Sequence, residues 1–306
     1  MTAITSKFKR SNRIKMHSGD RIYTVVIYIV LVFVAFATLF PFLDVVLTSI
    51  TPTVELAEKA KDIIIIPEHP TLSHYYYILK GNIQMIRSIG VTVQRTVIGT
   101  LLALALTALT AYPLSKRYLP GRNWIMKIFF FTMIFSGGMI PTFLVVKSYN
   151  LLDTIWALII PEMMSIYNMI IMRTFFSSIP EELEEAARID GCSDIRILGS
   201  IILPLSMPVL ASIGLFYAVW HWNAFFDAVL YINSRELWPL QTLLREILLS
   251  TSISELQQGN LLADTMPPST AVIAASIMIS TLPIACVYPF LQKHFVKGIM
   301  IGSVKG

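Results

Sequence analysis

From Ile22 to Leu47 the chain is almost wholly aliphatic and aromatic, with one acidic side chain, Asp44, toward its far end. A helix needs about 20 such residues to cross a hydrocarbon core of about 30 Å, so this run is long enough to span a membrane. It is too long for a signal-peptide core and lacks a small-residue cleavage site, which makes it a retained span. Comparable runs recur at about Ile89 to Leu114, Trp124 to Val146, Asp153 to Phe176, Ile201 to Trp222 and Thr270 to Leu291. Of the 306 residues 55% are hydrophobic and 14% charged; with a mean hydropathy of +0.67, this composition excludes a soluble domain. The expected fold is an all-α integral membrane protein with six transmembrane helices.

Charge then orients the spans. Lys7, Lys9, Arg10, Arg13, Lys15 and Arg21 crowd the segment before the first span, and Lys116, Arg117 and Arg122 fill the short turn between the second and third. Assigned to the two sides in turn, the 24 Lys and Arg divide about two to one in favour of both termini being cytoplasmic. The net charge of +5 therefore reports topology and gives no sign of nucleic-acid binding. The expected division is a cytoplasmic arm over 1–21, a six-span permease domain over 22–291 with an inner loop at 178–200, and a cytoplasmic tail over 292–306. Cys192 falls in the cytosol and Cys286 in the bilayer, so no disulfide is expected. Asp44 and Arg95 lie near outer ends, where they would snorkel or pair at the interface. Pro141, Pro161, Pro204 and Pro283 mark expected kinks.

The inner loop is more structured than a connection requires. Ser178-Ile179-Pro180-Glu181 has the form of a capping box, and Glu181, Glu182, Glu184 and Glu185 sit where a helix dipole favours acid. Glu184 and Arg188 are four apart in the favoured order. Leu183, Ala186 and Ala187 share a face, and Gly191 stands where a left-handed residue would end the helix. A second short helix is expected after Ser193, running into Pro204. Small alanines permit close approach of another surface, and the glutamates offer charge to a partner's Arg or Lys. The competing account, an amphipathic helix lying on lipid, fits poorly with an acidic polar face beside an anionic leaflet.

Glu185-Ala186-Ala187-Arg188-Ile189-Asp190-Gly191, followed by Ile201-Ile202-Leu203-Pro204, resembles the EAA loop of inner-membrane permease subunits of ABC importers. Arg173-Thr174-Phe175-Phe176, Ile179-Pro180, Phe295-Val296-Lys297-Gly298 and Gly302-Ser303-Val304-Lys305-Gly306 are similar to the carbohydrate-uptake branch, to which the smaller maltose permease subunit belongs. Cys192 departs from the alanine frequent there. The resemblance implies a type I importer permease in the bacterial plasma membrane. It implies as partners a second related permease, two ATPase subunits that bind ATP and Mg, an extracytoplasmic sugar-binding protein and membrane lipid, with no cofactor in this chain. It further implies ATPase coupling by Glu181, Glu184, Glu185, Ala186, Ala187, Asp190 and Gly191, ATPase contact by the tail residues Lys297, Gly298 and Lys305, and an oligosaccharide substrate, neutral or acidic and alginate-like.

The chain has no G-x-x-x-x-G-K-[ST] phosphate loop, no H-E-x-x-H and no G-x-S-x-G, so neither a motor nor a hydrolytic or metal centre is expected in it. Polar residues within spans are costly and are candidates for the substrate pathway. These are Glu162 and Asn168 in the fourth span, and Trp222, Asn223, Phe226 and Asp227 at the end of the fifth, where aromatic rings stack on sugars and amides bond hydroxyls. For Glu162 a carboxylate bonded to neighbouring helices is an equal account, and an aromatic belt explains the tryptophans. The alternative function is an ion-coupled secondary transporter in which Glu162 carries the proton.

Overall fold

The computed structural model describes residues 18–58, 66–81, 83–257 and 269–303. The basic arm before Ser18, Ile63 to Ile65 and Lys305 lie outside the described residues, as do the side chains of Arg21 and Lys297 and the surroundings of Gly298. Regular structure among the described residues is helical throughout.

Three helices are each long and apolar enough to cross a membrane: α1 (Ser18–Ile50), α4 (Ile83–Ser115) and α14 (Ser269–Ser303). Between the first two lie the short α2 (Thr53–Glu58) and α3 (Ser73–Gly81). The other three candidate spans are broken. The third is α5 (Arg122–Ile134) and α6 (Met139–Ser148), bent by 113°. The fourth is a 3-10 stretch, Ile155–Glu162, and α7 (Ile166–Phe176), bent by 53°. The loop helices α8 (Glu182–Ile189), α9 (Asp194–Ile197) and α10 (Leu203–Leu205) follow, and α11 (Met207–Asn223) leaves the stretch Asp194–Leu205 at 86°. Beyond it come α12 (Phe226–Tyr231) and α13 (Leu240–Gln257).

Each break has a local cause. Gly138, at φ 89°, opens the gap between α5 and α6 in a region that side chains avoid. Pro161 sits in the 3-10 turn, and Ser165 caps α7 by accepting the Asn168 N–H at 3.4 Å. Pro204 and Pro208 flank Ser206 and withhold two helical N–H donors. The straight part of the fifth candidate span therefore begins at Met207, with the expected start, Ile201, before the break. Pro283, by contrast, lies inside an unbroken α14, whose backbone continues past Leu291 to Ser303.

α4 is the centre of the bundle and packs most extensively on α11 and α7. Its small residues Ala103, Ala108 and Ala111 are buried against Met169, Met172, Ile213 and Tyr217, the close approach that holds helices together where water supplies no drive. The Tyr217 hydroxyl joins three elements: it shares a hydrogen bond with Thr107 at 2.7 Å and accepts the Ser165 N–H at 3.0 Å. α1 packs mainly on α14 and leaves most of its length exposed.

Arg95 departs from expectation. It is 0% exposed and points into the bundle, where it is ion-paired with Asp227.

Candidate functional site

The loop over 178–200 is fastened to the helical bundle. Glu184 faces the bundle, 3% exposed; it is ion-paired with Lys116 at the end of α4 and accepts the Tyr112 hydroxyl at 3.4 Å. Ala187 is buried beside it, whereas Leu183 and Ala186 are exposed, so the inward face of α8 is Glu184 and Ala187 and not the apolar trio read from the pattern. Glu184 is thus engaged within the chain. Nor is there a capping box: the Ser178 hydroxyl donates to the Phe175 carbonyl at 2.7 Å, and Glu181 makes no side-chain cap.

The tip behaves as the sequence indicates. Gly191 has φ 79°, its N–H donates to the Arg188 carbonyl at 3.0 Å, and the Cys192 N–H donates to the Ala187 carbonyl at 2.9 Å. Arg188 donates to the Tyr118 hydroxyl at 2.6 Å and to Asp194 at 3.2 Å, tying α8 to α9 across the turn. Glu181, Glu182, Glu185, Ala186, Asp190 and Gly191 remain exposed. So do two large apolar side chains, Ile189 at 87% and Ile195 at 79%, which an isolated loop has no reason to present.

A second site lies in the spans, where a cavity of about 450 Å³ opens between the α5–α6 break, the Pro161 turn and the end of α11. Glu162, Asn223, Phe226 and Asp227 line it together, with Trp220 and Tyr231. Asn168 lines an adjoining cavity of about 390 Å³, which shares Glu162 and Trp220. Trp222 is turned away: its Nε1–H donates to the Ser280 carbonyl on α14 at 2.9 Å. Behind the wall, Arg95 binds Asp227 through both outer nitrogens, donates to the Ala224 carbonyl at 3.2 Å, and lies 5.6 Å from the Trp220 ring. None of the residues lining the larger cavity is cationic.

Residues 96–301 match the family of the binding-protein-dependent transport system inner membrane component. The chain belongs to this family. The permease is 48% identical over 269 residues to Protein LplC of Bacillus subtilis, covering 88% of this chain and 90% of that protein. It is 45% identical over 287 residues to the polygalacturonan/rhamnogalacturonan transport system permease protein YtcP of the same organism, covering 94% and 99%. Among solved structures it resembles a chain of a bacterial ABC transporter involved in import of the acidic polysaccharide alginate, with a TM-score of 0.82, 31% identity and coverage of 92% and 99%. The six-span reading, with three spans formed as bent pairs, is thus that of an importer permease.

Three features of the permease escaped the sequence reading. Trp220 stands in the cavity wall and Arg95 behind it, but a lone arginine near a span end and one tryptophan of a pair give no sign of which way they point. The third is a latch beside the cavity. Asp153, with φ 56°, accepts N–H groups from Asn233 at 2.5 Å and Ser234 at 2.9 Å, and the Asn233 side-chain amide at 3.2 Å. Those donors, Ser234 foremost, hold its carboxyl below the ordinary carboxylate range.

Proposed function

We propose that this permease is one membrane subunit of an ATP-driven importer of oligosaccharides, working by alternating access. In this reading it pairs with a second related permease and rests on two ATPase subunits that bind ATP and Mg. It receives sugar from an extracytoplasmic binding protein, and both its termini face the cytoplasm. Its own role is not catalytic; the chain converts movement of the ATPases into movement of the spans. The observation that carries the reading is the construction of α8, whose inward face is anchored at Lys116 while its outer face and its Ile189-Asp190-Gly191 tip stand free. A short helix gripped on one side and continuous through Ser206 with a span can pass on a two-state displacement. Glu181, Glu185, Ala186, Asp190 and Gly191 are assigned to the ATPase contact, with Glu184 and Ala187 as the support beneath them. Lys297, Gly298 and Lys305 are assigned to a further ATPase contact on the strength of the resemblance alone.

The sugar path is assigned to the cavity of Glu162, Trp220, Asn223, Phe226 and Asp227, with Asn168 beside it. An aromatic surface with a few convergent polar groups suits sugar rings and their hydroxyls. Since this wall carries Glu162 and no free cation, the carboxylates of an acidic oligosaccharide would be met by the second permease. The family is one of binding-protein-dependent transport, which leaves the ion-driven use of Glu162 without support.

The test is reconstitution of the complete importer with Glu185→Ala and Gly191→Val combined. ATP-driven uptake is expected to fall by at least tenfold while the spans stay folded, about 1.4 kcal/mol or more of lost coupling. Uptake at the unaltered rate would sink the coupling assignment.

A further inference from the structure

A cavity of about 260 Å³ lies under the turn that joins α4 to α5, at the ends of α4, α5 and α7. Its cations are Lys116, Arg117, Arg122 and Arg173, and its one carboxylate is Glu181. Lys116 is committed to Glu184. Arg122 and Arg173 both donate through Nε to a single acceptor, the Leu114 carbonyl, at 2.9 and 2.8 Å. Capping the end of α4 accounts for those two Nε atoms. It does not account for the outer guanidinium nitrogens, to which no described residue offers an acceptor within hydrogen-bond distance. Arg117, exposed, has no partner among the described residues either. Three guanidinium groups around one hollow repel each other unless an anion sits among them.

The level of the cavity in the bilayer narrows the anion. Arg122 is the first residue of α5. Next to it Trp124 is 71% exposed with the Lys127 ammonium 4.7 Å over its ring, the pairing found where headgroups meet hydrocarbon. Farther along the same helix Ile128 and Phe131 are exposed at 61% and 60%, an apolar surface fit for acyl chains. Guanidinium forks match phosphate oxygens two at a time. Basic hollows between spans on the inner side are suited to acidic headgroups. We propose that this hollow binds the phosphate of an anionic phospholipid, held by Arg117, Arg122 and Arg173 with its chains along α5. The lipid would then lie against the Lys116–Glu184 support of α8. The proposal rests on the reading of this end of the bundle as cytoplasmic.

The test uses the assembled importer in nanodiscs of phosphatidylcholine with a varied fraction of phosphatidylglycerol, and native mass spectrometry of the lipid retained. Phosphatidylglycerol should be retained over phosphatidylcholine. Its occupancy should fall roughly tenfold in Arg117→Gln, the equivalent of one charge-assisted contact, and further in Arg122→Gln/Arg173→Gln. Arg117→Gln removes no contact within the described chain, so its effect is not one of misfolding. Equal retention of the two lipids, or retention indifferent to Arg117→Gln, overturns the proposal. Displacement by inorganic phosphate would make the ligand a free anion, and lipid bound only before the ATPases assemble would make it an ATPase carboxylate; both also overturn it. Labelling of Arg117→Cys in intact cells by an impermeant thiol reagent, above the level of the parent protein, would refute the cytoplasmic placement separately from the lipid measurement.

Discussion

Gly99 and Arg95 lie one turn apart on α4, the first constrained by space and the second by charge. A methyl group at Gly99 would stand 2.5 Å from Nε2 of His221, a fully buried ring. Gly99→Ala should therefore cost about 1–3 kcal/mol by overpacking. A lower unfolding temperature of the complex, restored in part by Gly99→Ala/His221→Ala, is the expected result, and no change would show that the helices can part without cost. Asp153 gives a pH dependence of definite sign. Because its folded pKa lies below the unfolded one, its contribution is complete above the ordinary carboxylate range and is lost as pH falls through the folded value. Exchange at the Asn233 and Ser234 amides, taken relative to the intrinsic rate at each pH, should accelerate on acidification through that window. In Asp153→Asn it should be fast throughout, with no such step.

At the scale of elements, α8 is held by a buried ion pair, with Lys116 and Glu184 side chains 9% and 3% exposed. Removing one partner of such a pair typically costs about 3–5 kcal/mol, since the other charge is left buried alone. Lys116→Met should loosen α8 and reduce coupled uptake, and Lys116→Glu/Glu184→Lys should recover part of the loss. If the single replacement leaves uptake and the protease resistance of 178–200 untouched, α8 is not anchored there. The loop was legible in the sequence because its signals are local: Gly191 needs a left-handed backbone, and the second helix follows Ser193. What was not legible depends on partners far along the chain. Lys116 is 68 residues from Glu184 and Asp227 is 132 from Arg95, distances at which an isolated sequence carries no pairing information. The span breaks at Gly138, Ser165 and Ser206 were only half visible, since a proline in an apolar run signals weakness without telling a bend from a break.

For the whole molecule, the two sites should separate on mutation. Phe226→Ala and Glu162→Gln should raise the sugar concentration for half-maximal uptake severalfold, by removing contacts each worth about 1 kcal/mol. The ATPases should still co-purify in full. Loss of the ATPases with unchanged sugar dependence would exchange the roles of the sites. Trp222→Phe is the contrasting change, because its ring serves α14 and not the cavity.

The pairing of α1 with α14 has a consequence for how the chain is made. α1 waits for α14 to be made, since its main neighbour within the chain begins at Ser269. Until α14 is made, α1 is fastened only at its far end, where Ser49 shares a hydrogen bond with Tyr75 and Ile50 accepts the Thr71 N–H, and the rest of its length faces lipid. That explains a run so uniformly apolar that it can reside in the bilayer without company.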